Sequence, residues 1–201
     1  MIYLASRSPR RRELLEQIGV RFQMLLFREG VRWDADTDEA VLPGEIPEDY
    51  VRRVALAKVR AAWKRVVMRR GLSHFPVLAA DTTVALGTQI LGKPANSDEA
   101  RRILALLSGT EHRVLTAVAI ALEDRCELAV SESRVTFEPL DAARIAAYVD
   151  SGEPFDKAGA YGIQGRAGAF VERLEGSYTA VVGLPLYETA RLLREFGIVV
   201  P

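Results

Sequence analysis

Two hydrophobic periods take turns along this chain. Residues 1–5 (MIYLA) and 22–27 (FQMLLF) are short apolar runs that predict strands, and between them Leu14, Leu15 and Ile18 recur at helical spacing behind Ser8 and Pro9. Glu48 to about Arg69 predicts a long helix, Pro76 to Ala80 a buried strand, and Ser97 to Leu107 a helix with Ser97 near its N-cap. His112 to Leu122 and Cys126 to Phe137 both alternate, which predicts a hairpin turned at Glu123 to Arg125. Asp141 to Val149 then reads as a helix, Ala169 to Leu174 as a strand and Pro185 to Phe196 as a last helix. Strand–helix–strand units together with a hairpin imply an α/β fold with a mixed sheet. No repeat or low-complexity linker interrupts the pattern, so residues 1–201 read as one domain. Two stretches lack a period. Residues 28–47 are acidic, and residues 151–168 hold Gly152, Gly159, Gly162, Gly165 and Gly168, five of the fifteen glycines. Aperiodic stretches of that length inside a compact fold are often functional.

Several polar residues interrupt this pattern where burial is expected. Arg10, Arg11 and Arg12 crowd the first turn of the first helix, where the macrodipole already places positive charge. Arg11 stands three, four and seven residues before Leu14, Leu15 and Ile18, so it heads the apolar stripe. Such arginines either snorkel or, with Ser6, Ser8 and the free helix N–H groups, hold an anion. Lys58 follows Val51, Val54 and Ala55 by seven, four and three residues and points from the buried face of the long helix. It must snorkel, pair with a carboxylate or reach a cleft. Asp81 ends the apolar run PVLAAD ahead of Thr82 and Thr83. A carboxylate at a strand's carboxyl end suits a metal ligand or general base, while an Asx-turn or helix cap is the commoner role for an isolated Asp there. Lys93 sits in a Gly-Lys-Pro turn, and Lys157 and Gln164 sit in the glycine-rich stretch.

Composition narrows the ligand. Lys plus Arg and Asp plus Glu are both 27, so there is no global field for nucleic acid or anionic lipid, and aromatic residues make up only 7%. A stable nucleic-acid partner is not expected; any anion is met in a local site, which favours a small molecule. No run approaches the roughly 18 apolar residues of a membrane span, and residues 1–5 are too short for a signal-peptide core. The single Cys126 suits a reducing compartment, and a cytoplasmic protein is expected. No glycine pattern matches a P-loop or a G-x-G-x-x-G turn. His74 and His112 are too isolated for zinc, and no Ser-His-Asp set emerges.

Five blocks, LASRSPRRRELL, ADTTVALGTQILGKP, LSGTEHRVLTAVAI, SGEPFDKAGAYGIQG and GSYTAVVGLPL, occur in an order that resembles the Maf family of nucleoside triphosphate pyrophosphatases. The resemblance spans Tyr3 to about Leu193. It implies a central curved mixed sheet flanked by helices, with two lobes around an active-site cleft, as in inosine triphosphatase-like folds. Pro-Arg-Arg, Asp-Thr and Gly-Ile-Gln-Gly, with Arg10, Thr82 and Gln164 at the matching positions, look like the branch that hydrolyses dTTP and UTP. The 7-methyl-GTP branch carries Trp, Gln and Glu there instead. Arg7 is bulky for its place in the first block. By resemblance Asp81 accepts the proton from water, while Ser8, Arg10, Arg11, Lys58, Lys93 and Lys157 face the phosphates. Glu39 would join Asp81 at a divalent metal, magnesium or manganese, although Asp34, Asp36 and Asp38 compete for that role. A homodimer is implied. The readings left open are a nucleotide-sensing module without turnover and the 7-methyl-GTP branch.

Overall fold

The computed structural model describes residues 1–25 and 39–200. Among these residues seven strands form one mixed sheet: β1 (Ile2–Leu4), β2 (Phe22–Met24), β3 (Val77–Leu86), β4 (Gln89–Leu91), β5 (Glu111–Leu122), β6 (Arg125–Phe137) and β7 (Val171–Glu175). Their order is β2-β1-β3-β5-β6-β7, with β4 on the same edge of β3 as β1. Strand β1 runs parallel to β2 and β3, and every other pairing is antiparallel. Six α-helices among the described residues flank the sheet: α1 (Pro9–Gln17), α2 (Pro47–Met68), α3 (Ser97–Leu107), α4 (Ala142–Asp150), α5 (Tyr178–Val182) and α6 (Leu186–Glu195). Among the described residues no helix is long and apolar enough to cross a membrane.

Strand alternation deals β3 to both faces. Val77 and Ala79 pack with Val51, Ala55, Val59 and Ala62 of α2, while Leu78 and Ala80 pack with Leu14 and Leu15 of α1 and Leu192 and Leu193 of α6. The α2 face is rich in small residues, Ala79, Ala117 and Ala119 on the sheet and Ala55 and Ala62 on the helix, so helix and sheet approach closely. A third apolar group gathers α3, α4 and the far ends of the long strands around Phe137, Tyr161 and Phe170. Strands β3 and β5 run from one group to the next, with Val84 and Val114 already in the third. The cleft opens between these groups.

The structure corrects the expected elements at four points. Strand β3 does not end at Ala80; it continues five residues past Asp81 to Leu86, because Thr82, Thr83 and Val84 are β-branched and pair fully with β5. Asn96, not Ser97, caps α3, its Oδ1 accepting from Glu99 N at 2.9 Å. Helix α5, capped by Ser177, was not expected. Residues 151–168 are not irregular throughout but contain 3₁₀ turns at Glu153–Asp156, Ala158–Ala160 and from Arg166 onward to Phe170.

Candidate active site

One edge of β3 carries a break in its ladder. Strand β1 pairs with it only at Val77 and Leu78, and β4 only from Val84 to Leu86, so residues 79–83 have no strand partner on that side among the described residues. Asp81 and Thr82 stand in this gap. Their side chains leave opposite faces of the strand, Asp81 toward α2 and Thr82 toward α1, yet both line one cavity of about 370 Å³. Asp81 is thus mid-strand in β3 but just beyond the carboxyl end of its parallel neighbour β1. The general rule that ligands sit past the carboxyl ends of strands, where the direction of connection switches, holds with respect to β1.

On the α2 side, Lys58 Nζ lies 2.7 Å from Asp81 Oδ1 and 2.6 Å from Glu39 Oε1. Asp81 and Lys58 are both buried, at 7% and 9% exposure. The lysine from the apolar stripe of α2 therefore does pair with carboxylates, and it does so inside the cleft. Desolvation pushes the Glu39 pKa up, but the charge and hydrogen bond of Lys58, with Lys93 and Arg11 further off, bring it below the usual carboxylate value. Two carboxylate oxygens converging on one cation fit what a magnesium-like ion needs from a protein, one or two carboxylates with substrate oxygens and water completing the shell. Among the described residues no group of three or more metal-ligating side chains assembles. Asp34, Asp36 and Asp38 lie outside the described residues.

On the α1 side, Arg11 is spent on protein atoms. Its Nε donates to Gly183 O at 2.8 Å, Nη1 to Ser6 Oγ at 3.3 Å and Nη2 to Thr82 Oγ1 at 3.2 Å. Five N–H donors in a rigid fork allow this and leave two over. Desolvation lowers the Arg11 pKa from its ordinary value; Asp81 opposes that shift, Arg10 adds to it and Glu39 opposes it. Thr82 continues the chain, its hydroxyl 3.0 Å from that of Thr116. The single Thr116 proton is claimed by Ala180 O at 2.7 Å, which leaves Thr82 to donate to Thr116 while accepting from Arg11. Ser8 occupies the N-cap of α1 without a side-chain capping bond; its own N–H donates to Ser6 Oγ at 3.2 Å. Ser8 thus lines the cavity without a side-chain capping bond.

The glycine-rich stretch closes the far wall. Asp156 accepts from Arg10 Nη1 at 3.3 Å and from Lys157 Nζ at 2.5 Å, so one carboxylate holds two cations at the rim. Lys157 Nζ also donates to Glu153 O at 2.6 Å. Lys93, exposed after β4, is tied to this wall through the neighbouring Gly92, whose carbonyl accepts from Gly159 N at 3.1 Å. Gly159 has φ +70°, and a Cβ there would lie 2.8 Å from Val84 Cγ2, so only glycine fits. Gln164, exposed, lines the cavity from the corner of a turn over residues 162–165, which a Gly165 N to Gly162 O bond of 3.0 Å closes.

The cavity thus brings together Ser8, Arg10, Arg11, Lys58, Asp81 and Thr82 with Lys93, Lys157 and Gln164, and Glu39 joins through Lys58. Sequence reasoning gave no role to Glu153, Asp156 or Gly183, all on the same walls. The signal available was an acid pair three residues apart beside Lys157. Gly183 O carries no side-chain signature at all.

The sequence pattern described as Maf-like protein matches residues 1–196. A dTTP/UTP pyrophosphatase of Cupriavidus metallidurans is 57% identical over 198 residues, covering 98% of each chain. One from Aromatoleum aromaticum is 57% identical over 98% of this chain and 95% of its own, and one from Nitrosomonas europaea is 53% identical with the same coverage. The solved Staphylococcus aureus Ham1 protein aligns at TM-score 0.42 and 18% identity over 68% of this chain and 70% of its own, a likeness too loose to bear on the site.

Proposed function

This chain belongs to the Maf family, and on that premise we propose that it is a nucleoside triphosphate pyrophosphatase that hydrolyses dTTP and UTP to the monophosphate and pyrophosphate, serving nucleotide-pool housekeeping. Relatives of that name, more than half identical over nearly the whole chain, support the substrate assignment. The match over residues 1–196 supports reading the chain as one domain. The observation that carries the reading is the arrangement around Lys58: two carboxylates meet one ammonium at 2.7 and 2.6 Å, in a cleft whose other walls present Arg10, Arg11, Lys93 and Lys157. Acid on one side and fixed cations on the other is what attack on a polyphosphate requires.

In the reaction a water oxygen bonds to the α-phosphorus and the bond from that phosphorus to the α,β-bridging oxygen breaks, so pyrophosphate leaves with the electron pair. Asp81, fixed through Oδ1 by Lys58, takes the proton that the water gives up. Arg10, Lys93 and Lys157 bind the phosphate oxygens, with the two spare N–H groups of Arg11 and the Ser8 hydroxyl directed at the same chain. Glu39 and Asp81 would hold a divalent cation, magnesium or manganese, which when bound supplies positive charge against the phosphates. By the family reading Gln164 and Thr82 serve recognition of the nucleoside. A glutamine amide both donates and accepts, matching the acceptor and N–H of a uracil or thymine edge. The family reading carries with it a cytoplasmic location and a homodimer.

Incubation with a panel of nucleoside triphosphates and magnesium, resolving monophosphate, diphosphate, pyrophosphate and phosphate, tests the reading. UTP and dTTP are expected to give monophosphate and pyrophosphate faster than ATP and GTP. Tight binding without pyrophosphate release would mark a sensing module, and faster turnover of 7-methyl-GTP than of UTP would mark the related branch.

A further inference from the structure

The turn that presents Gln164 is held from beneath by a closed ring of hydrogen bonds. At its start, Gly162 N donates to Tyr148 Oη at 3.3 Å. At its end, Arg166 N donates to Glu153 Oε2 at 3.1 Å. The Tyr148 hydroxyl, having accepted from Gly162, donates its one proton to Glu153 Oε1 at 3.0 Å and closes the ring. Both ends of a four-residue turn are thereby referred to one carboxylate.

Further observations show that this ring is built in. A Cβ on Gly165 would lie 2.1 Å from Glu153 Oε1, so the carboxylate occupies the space a side chain would take. Gly165 has φ −100°, outside the left-handed region, so a side chain there would act by displacing the Glu153 carboxylate. A Cβ on Gly162 would lie 2.7 Å from Lys157 Cε, so the lysine stem fills the matching notch at the other end. Tyr148 is itself fixed. It is 3% exposed, and its ring meets Phe170 edge-on at 5.2 Å between centroids. Ile163, the other corner residue, packs into the apolar groups on either side of the cleft. The turn therefore has little freedom other than what Glu153 and Tyr148 permit.

We propose that Glu153 and Tyr148 are positioning residues for base recognition: they set the height and orientation of the 162–165 turn, and so where the Gln164 amide meets the base. The inference rests on the reading of Gln164 given above. It differs from a role in phosphate chemistry, because the hydrogen bonds of both side chains go to the turn and to each other. It also differs from general stability, because Tyr148→Phe keeps the ring packing and removes only the link between turn and carboxylate. Hydrogen-bonded recognition discriminates sharply only when its groups are held in place; an ångström of displacement costs up to about 100-fold.

The test compares kcat/KM for UTP and ATP in the parent, Tyr148→Phe, Glu153→Gln and Gly165→Ala, with thermal midpoints on the same samples. The expected result is a fall of roughly tenfold in the UTP-to-ATP ratio in all three variants, arising from UTP, with ATP turnover nearly unchanged. Gly165→Ala is informative because it displaces the carboxylate while leaving both partners intact. Where Glu153→Gln fails to fold, Tyr148→Phe and Gly165→Ala decide. A parent that prefers UTP, with variants that keep that ratio or lose UTP and ATP activity in proportion, overturns the inference. A parent with no pyrimidine preference overturns the reading of Gln164 on which it rests.

Discussion

Lys58 Nζ sits between Asp81 and Glu39 at nearly equal distances, 2.7 and 2.6 Å, and so ties a residue of the central strand to one that precedes α2. In that position the ammonium offsets the charge of two acids that would otherwise repel. Asp81→Asn leaves this packing almost unchanged but removes the proposed proton acceptor. Turnover of UTP is expected to fall by on the order of 10²–10⁴-fold while nucleotide binding stays measurable by calorimetry. Near-normal turnover across pH would transfer the base role to Glu39.

Lys58→Met should lower the thermal midpoint, because it leaves two acids facing each other. The loss is expected below the ~3–5 kcal/mol of a fully buried pair, since the Glu39 side chain is 37% exposed. Added magnesium should raise the midpoint of this variant more than that of the parent, the cation taking over the neutralisation. An equal rise in both would argue against metal binding at these two carboxylates.

Arg11→Lys retains the charge but cannot reach Gly183 O, Ser6 and Thr82 together. Stability is expected to fall by about 1–3 kcal/mol, as buried acceptors lose their donor, and turnover should fall with it. Unfolding in urea alongside kinetics checks this. Unchanged stability with a raised KM would make Arg11 a phosphate ligand alone.

His112 supplies a pH dependence away from the cleft. Desolvation lowers its pKa from 6.5 to about 4, only partly opposed by the Thr110 backbone, so the folded protein keeps the ring neutral. Its Nε2 lies 2.9 Å from Tyr161 Oη and its ring meets Phe137 edge-on. Between pH 6.5 and 4 the unfolded chain binds the proton and the folded one does not. Stability from this group is therefore full above 6.5, drains as pH falls toward 4, and amounts to on the order of 3 kcal/mol. Urea midpoints at pH 7, 5.5 and 4 should show the decline in the parent and a shallower one in His112→Gln. Parallel slopes would sink the assignment.

Gly159→Ala forces a side chain into φ +70° and against Val84 Cγ2. Strain of about 1–3 kcal/mol is expected. Because Val84 and Lys157 line the same cavity, UTP turnover should drop as well. A midpoint equal to the parent's would refute the steric account.

How far the sequence announced this depended on the kind of signal each part carries. The β5–β6 hairpin was legible because two long strand-type runs, β5 apolar on both faces and β6 alternating, flank a short polar turn at Glu123 and Asp124. Lys58 was legible because helical spacing places it on a buried face whatever its partner. The true length of β3 was not, since a charge at Asp81 looks like a terminator until the ladder break around it is known. Helix α5 has five residues, too few for a period to show. Glu153 was hidden for a different reason: its partners are a backbone N–H, a tyrosine hydroxyl and the missing side chain of a glycine, none of which sequence spacing records.

The ladder break in β3 makes the chemistry a matter of reading frame. Asp81 and Thr82 are consecutive yet serve opposite faces, one facing Lys58 and the other Arg11, and the pairing Asp81 with Ala117 and Thr82 with Thr116 fixes which is which. Slipping β3 by a single residue against β5 would turn each side chain to the opposite face, the carboxylate to the side of the guanidinium and the hydroxyl to the side of the ammonium. No partial activity exists on the far side of such a slip. Heat inactivation should accordingly coincide with cooperative loss of the sheet rather than precede it, for the alignment that folds the protein is the same alignment that makes it an enzyme.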